Sequence, residues 1–222
     1  MRAVLTDIEG TTTAISFVHD VLFPYARVRL AGWVAQRWDD PALADTWRAV
    51  EAETGVTGRE STLQVLLQWM DEDRKATSLK ALQGQIWAAG YADGALVSHV
   101  YPDVAPALRA WRDAGLTLAV YSSGSVQAQQ LLYGHSVAGD LRPLFSAWFD
   151  TRVGPKRAPT SYAAIAAALR LPPAEILFLS DIVEELDAAA AAGLRTCWIW
   201  RDAPSPGHAP HPCAENFTKV MV

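Results

Sequence analysis

Cysteine is scarce in this chain, with two residues, Cys197 and Cys213, among 222. They allow at most one bridge, so a disulfide-built scaffold is excluded. Cys197 sits in the apolar run Thr196-Cys197-Trp198-Ile199-Trp200, where a buried, reduced thiol is expected. No Cys-x-x-Cys or Cys/His cluster accompanies either cysteine, and neither reads as a metal ligand. Basic residues are also few: 19 Lys and Arg face 24 Asp and Glu, for a net charge of −5. Without a broad basic surface, nucleic-acid binding is disfavoured. No apolar run approaches the ~20 residues that span a bilayer, and Asp7 interrupts the first residues before a signal-like stretch can form. The expectation is a cytoplasmic protein with no membrane association. What the chain does have is apolar residues, 50% of the total, enough for one domain with a sizeable insertion.

Periodicity divides it. Ala3-Val4-Leu5-Thr6 reads as a buried strand. From Pro102 onward helices and strands alternate. Asp103 is placed to cap a helix running through Leu108 and Trp111 to Gly115, and residues 116–121 read as a strand. Residues 125–133 read as helix, 147–149 as a short strand, 160–171 as helix, 176–179 as strand, 183–192 as helix and 195–200 as strand. This order predicts an α/β fold, a doubly wound, Rossmann-like parallel sheet. In between, helical spacing takes over, as in Leu63, Leu66, Leu67, Met70 and in Leu79, Leu82, Ile86. The expected organisation is an α/β core of residues 1–16 and 101–222, with a helical cap domain of residues 17–100 inserted after the first strand. Five tryptophans (Trp33, Trp38, Trp47, Trp69, Trp87) fall in the insert and are expected in its core. Its place after the first acidic loop suits a lid. The Pro- and His-containing tail after Arg201 reads as irregular surface.

Four stretches carry chemistry. Asp7-Ile8-Glu9-Gly10-Thr11-Thr12 follows the first strand directly. Two acids one residue apart can divide their work, one attacking or holding a cation and the other moving protons, although a strand-ending Asp is often only a cap. Tyr121-Ser122-Ser123-Gly124-Ser125 ends a strand and opens a helix, where hydroxyls and N–H groups cradle a phosphate or simply cap the helix. Lys156, in the loop from Gly154 to Tyr162, can offer a fixed positive charge to a phosphoryl group. A loop lysine is more often solvated, and its neighbour Arg157 reads as surface. Asp181 ends another apolar strand and can share a hard cation such as Mg2+ with Asp7. Glu184, Glu185 and Asp187 read as acids favoured by the helix dipole.

The four sites run in chain order carboxylate, hydroxyl, amine, carboxylate, and their combination is far more specific than any member. It resembles the haloacid dehalogenase-like superfamily of phosphohydrolases, whose motifs run Asp-x-Asp, Ser/Thr, Lys and acidic. Glu9 departs from it, standing where most of those phosphatases carry a second Asp. With Ile15-Ser16-Phe17-Val18, Leu22-Phe23-Pro24-Tyr25-Ala26, Leu82-Gln83-Gly84-x-Ile86-Trp87, Gly134-His135-Ser136 and Phe178-Leu179-Ser180-Asp181, the chain further resembles the bifunctional enolase-phosphatases (acireductone synthases) of methionine salvage. The likeness covers nearly the whole chain and weakens after about Arg201.

The resemblance implies roles position by position. Asp7 would be the nucleophile that forms an aspartyl-phosphate and also a Mg2+ ligand. Glu9 would bind the metal through its backbone carbonyl and donate the proton to the leaving oxygen. Ser122, Ser123 and Lys156 would bind the substrate phosphate, and Asp181 would complete the metal ligands. The implied substrate is 5-(methylthio)-2,3-dioxopentyl phosphate, enolised and then dephosphorylated to acireductone. The enolising base stays open among Glu9, Lys80 and His99. A superfamily phosphatase acting on another small phosphorylated metabolite, without enolisation, is the nearest alternative. A non-catalytic sensor is opposed by the full set of reactive side chains, and a phospho-accepting receiver by the inserted helical block. A monomer would suffice, since one chain supplies every motif. His19, His135, His208 and His211 receive no role, and His208-x-x-His211 is weak as a metal site.

Overall fold

Four residues with no polar face toward solvent make β1 (Ala3–Thr6), and all four are buried. Such a strand needs partners along both edges and a layer on each face. The computed structural model, which describes residues 1–74, 76–201 and 209–222, provides both. β1 lies inside a sheet with β2 (Thr117–Tyr121), β3 (Ala147–Phe149), β4 (Ile176–Ser180), β5 (Arg195–Ile199) and β6 (Cys213–Ala214). The spatial order is β3-β2-β1-β4-β5-β6 and every pairing is parallel. Thr6 stands beside Val120 on one side and Leu179 on the other, so the residues that follow β1, β2 and β4 leave the sheet at one end. That end, where the strand order reverses, is where open α/β sheets gather ligands.

The helices in chain order are α1 (Phe23–Arg37), α2 (Ala44–Thr54), α3 (Arg59–Asp71), α4 (Thr77–Ala92), α5 (Val104–Asp113), α6 (Val126–Gly134), α7 (Pro159–Leu169) and α8 (Val183–Ala191). Alternate strand residues feed two cores. Val4, Leu118, Val120, Leu177 and Leu179 pack with Val104, Leu108 and Trp111 of α5 and Tyr133 of α6. Leu5, Ala119, Tyr121 and Phe178 pack with Tyr162 and Ile165 of α7 and Leu186 and Ala189 of α8. This period-two division is what a sheet covered on both faces requires.

The chain separates into two compact units, residues Met1–Ile15 with Val97–Val222, and residues Ser16–Leu96. The second is helical. A π-helical turn (Phe17–Leu22) leads into α1, and α1 to α4 enclose Leu30, Val34, Leu66, Leu79, Leu82 and Ile86. Of its five tryptophans, Trp69 and Trp87 are core, and Trp87 Nε1 donates to the Leu22 carbonyl at 2.8 Å. Trp33, Trp38 and Trp47 are only half-buried, contrary to expectation; Trp38 and Trp47 stack on each other at 5.2 Å. Among the described residues no helix is long and apolar enough to cross a membrane.

Two expectations in the core unit are corrected. Asp103 precedes α5 but its side chain does not cap it; Arg201 and the Phe217 amide claim the carboxylate instead. The tail is not irregular surface throughout. Cys213 and Ala214 pair with Trp198 and Ile199, and Phe217, 1% exposed, stacks on Trp111 at 5.3 Å. His208 lies outside the described residues. His211 is held by Thr196 (2.9 Å) and Asp187 (3.0 Å).

Candidate active site

The turn after β1 is built on one carbonyl. Ile8 O accepts the N–H groups of Thr11, Thr12 and Thr13 at 2.9 to 3.1 Å. Closing a turn this tightly places Gly10 at φ +76, in the left-handed region where a side chain is strained. A second constraint acts on the same residue: a Cβ on Gly10 would overlap Asp181 Oδ2 and stand 2.5 Å from Cγ and 2.9 Å from Oδ1. The close approach brings the end of β4 against the end of β1. Thr11 completes the junction, its hydroxyl accepting the Asp181 N–H at 3.0 Å and donating to Asp181 Oδ1 at 3.3 Å. Trp198 Nε1 donates to the Asp181 carbonyl from β5 at 2.9 Å.

Asp7 is 3% exposed. Its Oδ1 lies 2.6 Å from Lys156 Nζ, and the lysine side chain is itself 10% exposed, so this is no solvated loop lysine. Tyr162 OH donates to the Lys156 carbonyl at 2.7 Å and Ser161 Oγ to the Pro155 carbonyl at 2.7 Å, fixing the loop from the first turn of α7. Arg157 is exposed. The other ion partner of Lys156 is Glu185 Oε2 at 2.7 Å, which also accepts from Ser180 Oγ at 3.1 Å. Glu185 was expected to serve only the helix dipole; it is buried and belongs to the cluster. Glu184 is exposed, and Asp187 pairs with His211.

The serine turn stands next to the first one. Ser122, fully buried, accepts the Gly124 N–H at 3.0 Å and donates to Glu9 Oε2 at 3.1 Å. Gln129 Nε2 ties the Gly124 and Phe149 carbonyls together, each at 2.8 Å. Ser125 caps α6, accepting from Ala128 N at 3.2 Å, and Ser123 is exposed. Five of the expected residues, Asp7, Glu9, Ser122, Lys156 and Asp181, thus fall in one linked cluster, and Ser123 lies beside it in the chain. Lys80 is half-buried on α4, in the helical unit. His99 supports the first turn, its Nδ1 accepting the Ala14 N–H at 3.1 Å and its carbonyl the Thr13 hydroxyl at 2.8 Å. A ring whose Nδ1 accepts carries its proton on Nε2 when neutral.

The electrostatics follow from crowding. Burial raises Asp181 to about 6, and the Asp7 charge pushes the same way. Glu185 is raised to about 7 by burial and by Asp7, against the opposing pull of Lys156. Glu9 is raised by burial, then by Asp7. Burial alone would lower Lys156, but Asp7 and Glu185 outweigh it and hold the ammonium firmly protonated. Four carboxyl groups therefore crowd one ammonium, which pairs with two of them, Asp7 and Glu185, and the side chains offer oxygen donors only. That set fits a hard divalent cation such as Mg2+. Among the described residues no three His, Cys, Asp or Glu side chains form a metal-holding group. A cation here would be held by fewer than three such side chains, with carbonyl oxygen or water completing its shell.

Comparison with known proteins places this geometry in context. A profile of the haloacid dehalogenase-like hydrolases matches residues 1–193. A protein of Pseudomonas aeruginosa (strain UCBPP-PA14) named enolase-phosphatase E1 is 55% identical over 224 residues, covering 100% of this chain and 99% of its own. One of the same name from Azotobacter vinelandii is 53% identical, covering 99% and 97%. Among solved structures, the UTR4 protein (unknown transcript 4 protein) of Saccharomyces cerevisiae superposes with a TM-score of 0.85 at 33% identity, covering 98% of this chain and 99% of its own.

Proposed function

The chain belongs to the haloacid dehalogenase-like hydrolases, and from that premise we infer that it is an enolase-phosphatase of methionine salvage. It converts 5-(methylthio)-2,3-dioxopentyl phosphate to the enediol phosphate and then to acireductone (1,2-dihydroxy-5-(methylthio)pent-1-en-3-one) and phosphate. The observation that carries the assignment is identity of 53 to 55% with proteins of that name over essentially the full chain. The cluster at the ends of β1, β2 and β4 supplies matching chemistry.

In this reading Asp7 is the nucleophile. One of its carboxylate oxygens attacks phosphorus in line, the bond to the ester oxygen breaks, and an aspartyl-phosphate forms. Glu9 gives its proton to the departing enediol oxygen. As a carboxylate it then takes a proton from the water that attacks phosphorus, which releases phosphate and restores Asp7. Lys156 faces the developing negative charge at the phosphoryl oxygens and holds Asp7 in place at 2.6 Å. Ser122 orients Glu9 at 3.1 Å, and Ser123 with the N–H groups opening α6 contacts the substrate phosphate. Mg2+, held by the Asp7 and Asp181 carboxylates and the Glu9 carbonyl, would offset charge repulsion between carboxylate and phosphate and lower the cost of an enolate. For enolisation, His99 is committed to Ala14, whereas Glu9 stands in the cluster and is the base we assign.

A cytoplasmic monomer fits this role, because the substrate is a small phosphorylated metabolite and one chain supplies every group named. The test is to give the purified protein the diketone phosphate with Mg2+ and follow enediol absorbance and free phosphate together. Enediol phosphate preceding phosphate release is expected. Release from simple phosphate esters but not from this substrate would move the protein to a phosphatase of another metabolite. Asp7→Asn should cut phosphate release by roughly a thousandfold or more with the fold retained, and retained turnover would refute the nucleophile.

A further inference from the structure

Arg201 follows β5 and belongs to none of the four motifs, yet its side chain is only 6% exposed. Nε donates to the Thr11 carbonyl at 2.7 Å, and Nη1 reaches both oxygens of Asp103, at 2.9 and 3.1 Å. Asp103 is in turn fixed by the Phe217 N–H at 2.8 Å. The guanidinium carbon lies over the Tyr101 ring, 3.9 Å from its centroid. Nη2 is buried without a hydrogen-bond partner among the described residues. A buried guanidinium that donates to a carbonyl and a carboxylate from one planar fork fixes geometry as well as pairing charge.

Thr11 links this arginine to the chemistry. Its carbonyl is the atom Arg201 holds, and its hydroxyl makes both bonds to Asp181. The carbonyl and side chain hang from one Cα, so anchoring the first fixes the point from which the second reaches, and the β-branched side chain has few χ1 rotamers from there. The residues that follow Thr11 are tied by neutral groups: Tyr101 N–H to the Thr12 carbonyl at 3.0 Å, and His99 to Thr13 and Ala14.

We propose that Arg201 is a positioning residue, which acts through Thr11 to hold the Asp181 carboxylate in its metal-binding place beside Asp7. The inference rests on the reading of Asp181 as a Mg2+ ligand. Lysine could not replace the arginine, since a single ammonium lacks the planar fork that serves Thr11 and Asp103 at once.

The test uses the full chain as wild type, Arg201→Lys, Thr11→Ala and the double variant. Mg2+ is titrated twice, by rate of phosphate release and, without substrate, by the rise in melting temperature. Arg201→Lys should raise the half-saturating Mg2+ in both titrations by roughly tenfold and lower kcat similarly, with KM for the phosphate ester changed less than about twofold. Placed on Thr11→Ala, it should add less than about twofold, because the route to Asp181 is already cut. If Arg201→Lys does not fold, Asp103→Asn takes its place, with a smaller shift in the same direction. Unchanged half-saturating Mg2+ in the folded variant, even with a lower melting temperature, would overturn the proposal, as would fully multiplicative effects in the double variant. Rates are read on a simple phosphate monoester as well as on the diketone phosphate, so loss of the substrate assignment leaves the Arg201 result standing. Absence of any Mg2+ response in the wild type would remove the metal reading and this inference with it.

Discussion

Replacing Gly10 with alanine exchanges one hydrogen for a methyl group, a net gain of one carbon and two hydrogens, where the added Cβ meets the Asp181 carboxylate. The residue sits at φ +76, and an alanine held there costs about 1–2 kcal/mol against glycine. Its methyl group would also overlap the Asp181 carboxylate, which must withdraw by about 1 Å and give up the 3.3 Å bond from Thr11, a further loss of about 1 kcal/mol. Together these predict destabilisation of about 2–3 kcal/mol, measurable by urea denaturation without metal. A displacement near 1 Å of a group that positions the reaction costs on the order of a hundredfold in rate, and half-saturating Mg2+ should rise with it. The informative comparison is between the two measurements. A variant destabilised as predicted but with unchanged kcat and Mg2+ dependence would show that the place of Asp181 does not matter to turnover, and the metal assignment would fall.

Glu185→Gln removes one of the two carboxylates on Lys156 and leaves the ammonium tied to Asp7 alone; kcat should fall by about tenfold with little change in KM, as read from steady-state phosphate release. Asp103 gives a pH test of stability. Burial would raise its carboxyl, but Arg201 and the Phe217 N–H outweigh that and hold it below the ordinary range, so its contribution is complete above about pH 4 and lost as pH falls through the depressed value. The stability gap between wild type and Asp103→Asn should therefore be widest near neutrality and close in acid; a gap that widens below pH 4 would contradict the assignment. Trp87→Phe removes the 2.8 Å donation to the Leu22 carbonyl and should cost about 0.5–1.5 kcal/mol by urea denaturation; a loss under a few tenths would mean that this bond does not help to hold the helical unit.

The sheet was legible because its strands are apolar runs with turn residues at their ends. Asp7, Ser122 and Asp181 stood out for the same reason, each following directly on such a run, and Lys156 by its place in the loop that leads into α7. Glu185 was passed over because an acid in a first helical turn already has a sufficient local explanation. The only further signal was its place four residues after Asp181, one turn along the helix. Arg201 could not be found from local pattern at all, since its partners lie 98 and 190 positions away. β6 escaped because two residues beside prolines show no alternation to detect. The tryptophans misled in a different way: three of the five spend part of their surface on each other or on solvent, and residue type alone does not separate these from core positions.

The place of β1 in the middle of the sheet bears on how the molecule comes into being. During synthesis β1 has no neighbour in the sheet until β2 emerges, and no second neighbour until β4 does. Asp7 must wait for Lys156, 149 positions later, and Thr11 for Asp181, 170 positions later. Residues 16–96 make their own compact helical unit, formed from contacts within one stretch of chain, whereas the cluster around Asp7 needs contacts of high sequence separation. The linked cluster therefore forms only once Asp181 has been made, and nascent chains that end before Lys156 carry Asp7 with neither Lys156 nor Asp181 beside it.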